Sequence, residues 1–180
     1  EPYYPSVPPE LVKRYNVLIV CFDALRADHA SFNGYKRKTT PYLDRLAEKS
    51  WVFENALSTS STTRLAVPIL LSGRYGSGLT WRTAKRVDQL ADENLLLAEI
   101  LKEEGYQTLA VVDEWLEKFL SSMRQGFDSY GSAYGVGNWK KLGQISAPFV
   151  TLATLERMMT LDRDEPFFLY LHYEAAHTPY

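Results

Sequence analysis

The chain has 180 residues, 46% of them hydrophobic and 23% charged, with a formal net charge of −2. That is enough chain for one domain with a real core, in the composition of an ordinary globular protein. Lysine and arginine are scattered, which argues against nucleic acid as a partner, and a single cysteine, Cys21, rules out an internal disulfide and a cysteine-rich zinc site.

Residues 1–15 hold four prolines and no periodicity, and they read as an extended lead-in or linker. Residues 16–180 read as one domain. Asn16 to Phe22 is an apolar run ending at Asp23, which suits a strand buried on both faces of a parallel sheet. Pro41 to Lys49 has helical spacing, with Thr40 before it as N-cap and Pro41 at the first helical position. Trp51 to Phe53 reads as a short strand. A hydroxyl cluster, Ser58 to Thr63, precedes a helix over Leu65 to Leu71. Asn94 to Glu104 reads as an amphipathic helix closed by Gly105, then Gln107 to Val112 as a strand. The glycine-rich segment Gly126 to Gly143 reads as loop, Phe149 to Leu161 as a helix, and Phe167 to Tyr173 as a strand ending near His177. No apolar run reaches the ~20 residues that span a bilayer, so any membrane anchor is expected outside this chain.

Alternation of strands and helices predicts an α/β fold with a mainly parallel central sheet flanked by helices. In such sheets ligands bind beyond the carboxyl ends of the strands. Asp23 and His177 each fall just past a predicted strand, and the hydroxyl cluster follows a third. Asp23 fits either a capping residue or a ligand for a divalent cation. Asp28 reads as a structural residue bonding backbone amides. The hydroxyls fit helix caps, or one of them is a nucleophile; a threonine would need a base or a metal to attack. His177 fits a metal ligand, a donor to a substrate oxygen, or a loop residue. His172, inside the last apolar run, reads as a core histidine with its hydrogen bonds satisfied.

Several segments, in order, resemble the sulfatase-type branch of the alkaline phosphatase superfamily. They are Asn16 to Asp28, Gly34-Tyr35 with Thr39 to Ala47, Phe53 to Ala56, Leu70 to Tyr75, Glu104 to Thr108, Gly126 to Asp128, and His177 to Tyr180. The resemblance implies an alkaline phosphatase-like fold, with residues 16–180 the N-terminal part of a sulfatase-like catalytic domain. Sulfatases place a cysteine or serine, converted to formylglycine, ten residues before the glycine of their "TGR" segment; here that position is Thr63, counted from Gly73. The accompanying proline and arginine of that motif are absent, so a formylglycine enzyme is not implied. Phosphoethanolamine transferases of the superfamily use an unmodified threonine five residues before a proline, which again gives Thr63, counted from Pro68. Their first metal ligand corresponds to Asp23 and their substrate-side histidine to His177. This chain lacks the cysteines that flank that site. Ala24 stands where many sulfatases have a second metal-binding aspartate.

The resemblance therefore implies a metal-dependent hydrolase or phosphotransferase acting on a phosphate or sulfate ester, small or lipid-linked. It implies Thr63 as nucleophile, Asp23 and Thr63 as metal ligands, and His177 at the substrate. The metal is expected to be zinc or manganese rather than calcium or magnesium, and the location periplasmic or otherwise extracytoplasmic, with membrane tethering. The alternative is a catalytically incomplete module with a binding or assembly role. The family's later Asp-His-Gly motif does not occur before Tyr180, so the fold is expected to be truncated at its C-terminal side and these 180 residues inactive alone. The sequence does not set substrate, acceptor or oligomeric state.

Overall fold

A computed structural model describes residues 13–84, 87–113, 116–117, 121–132 and 147–177. In chain order its elements include β1 (Val17–Phe22), α1 (Pro41–Ala47), α2 (Thr63–Ser72), β2 (Trp81–Ala84), β3 (Val87–Leu90), α3 (Leu97–Glu103), β4 (Gln107–Val112), β5 (Ser129–Ser132), α4 (Ala147–Met158) and β6 (Phe167–Tyr173). Four strands form one sheet in the order β1-β6-β4-β5, and all three pairings are parallel. β2 and β3 form a separate antiparallel pair. The expected mainly parallel sheet flanked by helices is the observed one.

Parallel register carries the side chains of neighbouring strands to common faces. Ala110, Val112, Phe168 and Tyr170 pack with Val67 and Leu71 of α2 and with Leu96, Leu90 and Met123. On the opposite face Leu109, Val111, Leu169 and Leu171 pack against Val150 and Ala153 of α4. β6 and β4 are thus covered on both sides. β1 is not: Ile19 and Cys21 face the α2 side, while Leu18 is 55% exposed and Val20 and Phe22 40% each. The expectation of a first strand buried on both faces fails because α4 lies over β4 and β6.

Other differences are local. Trp51 to Phe53 forms no strand; Trp51 is 92% exposed and no sheet partner lies beside it among the described residues. The helix expected from Asn94 starts at Leu97, because the buried Asn94 side chain is committed to Thr80 and Ala91 backbone groups. The segment expected as loop contains β5; its residues 133–143, and most of the lead-in, lie outside the described residues.

Two of the family-like segments turn out to be fastenings. Asp44 accepts hydrogen bonds from the Ser31 and Thr40 hydroxyls, which ties the loop after β1 to α1. Asp128 accepts from the Thr108 backbone and hydroxyl, joining β4 to the turn before β5. Gly126, in that turn, has φ +80°, and an added Cβ would meet the Glu99 backbone nitrogen and lie 2.7 Å from the Ala98 carbonyl carbon. Backbone cannot yield there as a flexible side chain would. Gly126→Ala is expected to lower stability by about 1–3 kcal/mol from overpacking, beyond its left-handed backbone penalty. The check is a fall in the urea midpoint at unchanged slope.

Candidate functional site

The first chemistry-bearing residue is placed by the sheet itself. Asp23 follows the last residue of β1, and its backbone N–H donates to the Tyr173 carbonyl at 2.8 Å, extending the β1–β6 ladder. Ala24 then takes φ +57°, a left-handed conformation that costs a non-glycine residue about 1–2 kcal/mol. The turn takes the chain away from the sheet directly after the carboxylate.

Thr63 is the first residue of α2, and Thr62 before it is extended, with φ −117° and ψ 131°. The helix start is held by backbone bonds from Leu65 and Ala66 to the Thr62 carbonyl. The hydroxyl run does not cap it by side chain: Ser58 bonds the Ser60 carbonyl, and Ser60 and Thr62 bond one another. The Thr63 hydroxyl points elsewhere and donates to Asp23 Oδ2 at 2.8 Å. The capping expectation therefore fails for Thr63, whose oxygen is spent on a tertiary contact 40 residues away.

Behind Asp23 stands His172, 1% exposed. Its Nε2 lies 3.3 Å from Asp23 Oδ2, and its Nδ1 lies 2.7 Å from the buried Tyr170 hydroxyl. The bond from His172 holds the Asp23 carboxyl below its ordinary range, with burial opposing and Thr63 and His177 adding to the effect. Burial works against a charged His172 ring, but the Asp23 and Cys21 side chains outweigh it and push the imidazole up to about 9. The opposite shifts agree, and describe an ion pair at neutral pH.

His177 follows β6 on an exposed turn, its N–H donating to the Glu174 carbonyl at 2.8 Å. Asp23, Thr63, His172 and His177 all line one cavity of about 620 Å³. The structure thus brings together Asp23, Thr63 and His177, the three residues singled out in the sequence. Thr178 to Tyr180 lie outside the described residues. His172 is buried and hydrogen-bonded as expected, yet it belongs to the site. Also overlooked were two carboxylates at the ends of neighbouring strands, buried Asp113 after β4 and Glu174 after β6. Burial and then Asp113 raise the Glu174 pKa. The signal for Asp113 was the one used for Asp23, an acid directly after an apolar strand. Asp28 differs from expectation: its partners are the Arg26 and His29 side chains, not backbone amides.

The Asp23–His172 pair has a pH signature. Unfolded, His172 takes an imidazole pKa of about 6.5, against about 9 when folded. Its stabilisation is fully present below about pH 6.5 and is lost as pH rises through about 9. Asp23 acts in the other direction, its stabilisation being lost as pH falls below about 4. In metal-free protein, the stability difference between wild type and His172→Gln should be largest near about pH 5–6 and shrink towards about pH 9. A difference that stays constant across that range contradicts the pairing.

Comparison with known proteins bears on the family and the fold. The Sulfatase family profile matches residues 15–180. An N-acetylgalactosamine-6-O-sulfatase of Bacteroides thetaiotaomicron is 32% identical over 107 residues, 56% of this chain and 20% of that protein. Phosphatidylethanolamine transferase Mcr-1 of Escherichia coli is 33% identical over 84 residues, 47% of this chain and 15% of that protein. Among solved structures, BT4656 in complex with its substrate D-glucosamine-2-N,6-O-disulfate superposes with a TM-score of 0.75 at 21% identity, covering 92% of this chain and 35% of that one. The C-terminal periplasmic domain of EcEptC from Escherichia coli, in complex with Zn, gives 0.66 at 16% identity, with 94% and 46% covered. A protein in the alkaline phosphatase superfamily from Vibrio parahaemolyticus gives 0.69 at 22% identity, with 94% and 42% covered. These likenesses carry the fold, and the chain spans less than half the length of the proteins it matches. By the family profile that covers nearly all of it, the chain belongs to the Sulfatase family.

Proposed function

We propose that the complete protein is a metal-dependent hydrolase or group-transfer enzyme for a phosphate or sulfate ester, with Thr63 as its nucleophile. The observation that carries this reading is the 2.8 Å contact between the Thr63 hydroxyl and Asp23 Oδ2 beside an open cavity. Asp23, with its lowered pKa, is a weak proton acceptor. It therefore orients the hydroxyl, and the acidity of that hydroxyl has to come from another source. A divalent cation, zinc or manganese in this reading, lowers the pKa of a coordinated hydroxyl and offsets charge on the oxygens of the ester. Asp23 and Thr63 are oxygen donors of the right kind to hold it. No group of three or more His, Cys, Asp or Glu side chains is arranged for a metal among the described residues, and Asp23 and Thr63 alone do not complete a catalytic site.

The other residues have roles that follow from position. Amides at the start of α2 and the helix dipole favour an anionic group beside Thr63. Oγ1 of Thr63, its proton released to solvent, bonds to phosphorus or sulfur in line as the bond to the leaving oxygen breaks. His177, on the exposed turn, donates to a substrate oxygen or gives its proton to the leaving group. Water or an acceptor alcohol then resolves the threonine ester. The names of the relatives point to sulfated sugars and phosphoethanolamine lipids as the two substrate classes to compare. They also point to an extracytoplasmic location. No helix among the described residues is long and apolar enough to cross a membrane.

Turnover of p-nitrophenyl sulfate, p-nitrophenyl phosphate and bis-p-nitrophenyl phosphate by the complete protein separates the ester classes. Thr63→Ala is expected to lower the rate on the best of them by about 10³-fold or more. Thr63→Ser, which keeps a hydroxyl, should retain part of it. Activity unchanged in Thr63→Ala sinks the assignment.

A further inference from the structure

The proposed chemistry uses Asp23 but leaves unexplained what sets the direction of its carboxylate. A carboxylate can turn out of plane about its Cβ–Cγ bond, and a site that needs one oxygen for Thr63 and the other for a cation cannot tolerate that. Two contacts address this. Thr63 Oγ1 and His172 Nε2 both bond the same atom, Oδ2, at 2.8 and 3.3 Å. Oδ1 has no hydrogen-bond partner among the described residues.

An ionised carboxylate only accepts, so Nε2 of His172 is the donor. Its other nitrogen is held by the Tyr170 hydroxyl at 2.7 Å. Tyr170 and His172 are two apart on β6 and project to the same face, opposite Ile19 and Cys21 of β1 in the parallel register. Both are fully buried. Ring and hydroxyl therefore both sit on β6, the strand paired with β1 beneath Asp23, and neither can turn without breaking a buried hydrogen bond.

We propose that His172, fixed in turn by Tyr170, is the positioning residue of this site: it commits Oδ2 of Asp23 to Thr63 and keeps Oδ1 available as a donor to a divalent cation. The proposal rests on the metal-dependent reading above. His172 touches neither substrate nor cation, and it acts only through Asp23. Partners of this kind behind a metal ligand are worth about 10–100-fold in metal affinity.

The test is zinc affinity of the complete protein, by competition with a chromophoric chelator, for wild type, His172→Gln, His172→Asn, Tyr170→Phe and Asp23→Ala. Glutamine places its amide nitrogen near the position of Nε2 and can still donate to Asp23. Asparagine is shorter and reaches only towards Tyr170. His172→Asn should bind zinc about 10–100-fold more weakly, His172→Gln close to wild type, and Tyr170→Phe in between. Urea unfolding in chelator reports the fold of each variant separately. Equal losses in Gln and Asn, or losses that track the urea midpoints, would mean a structural role and overturn the proposal. Zinc loss in Asp23→Ala with wild-type affinity in His172→Asn overturns the proposal alone. Unchanged affinity in Asp23→Ala overturns the metal reading and this proposal with it. If the Asn variant does not fold, Tyr170→Phe carries the test, and wild-type affinity in it overturns the chain of contacts.

Discussion

The parallel pairing of β1 with β6 fixes where the candidate site forms in this chain. Six residues of β1 run beside β6, from Val17 against Phe168 to Phe22 against Tyr173, and both strands end at the same edge. Asp23 continues the ladder by one more bond to the Tyr173 carbonyl. A carboxylate held there cannot move away, and being partly buried it needs polar partners. The structure supplies them from two directions, Thr63 from the start of α2 and His172 from β6. Moving the register by one residue would turn His172 to the α4 face and dissolve the arrangement.

The rest of the domain serves that edge. α2 packs Val67 and Leu71 into the sheet core, which sets where its first residue, Thr63, falls. Asp44 anchors the loop that leaves Ala24. The left-handed Ala24 lies between that anchored loop and the ladder, so its backbone cost falls at the site, where such strain tends to collect. Further along the same edge, Asp113 follows β4 and Glu174 follows β6, and burial and Asp113 together raise the Glu174 pKa.

Much of this was legible in the sequence, and for identifiable reasons. β4 and β6 are apolar runs buried on both sides, so their bounds could be read from composition alone, and they match the observed spans. Asp23 was legible as an acid stranded at the end of such a run. Thr63 was not distinguishable from its hydroxyl neighbours by local physics, since any of them could cap a helix; only the family resemblance, counted from Gly73 and Pro68, singled it out. His172 was hidden for the opposite reason. Alternation places it in the core, and nothing local says that the core face at that point contains Asp23. The open face of β1 was equally invisible, because coverage depends on where α4 settles.

The central claim is that Thr63 Oγ1 forms a bond to the transferred group. The most direct measurement is mass spectrometry of the complete protein, acid-quenched during turnover of an activated phosphate or sulfate ester. The account predicts a phosphoryl or sulfuryl group on the peptide that contains Thr63, absent in Thr63→Ala. Full turnover with no modification of that peptide at any quench time, or modification on another residue, would contradict it.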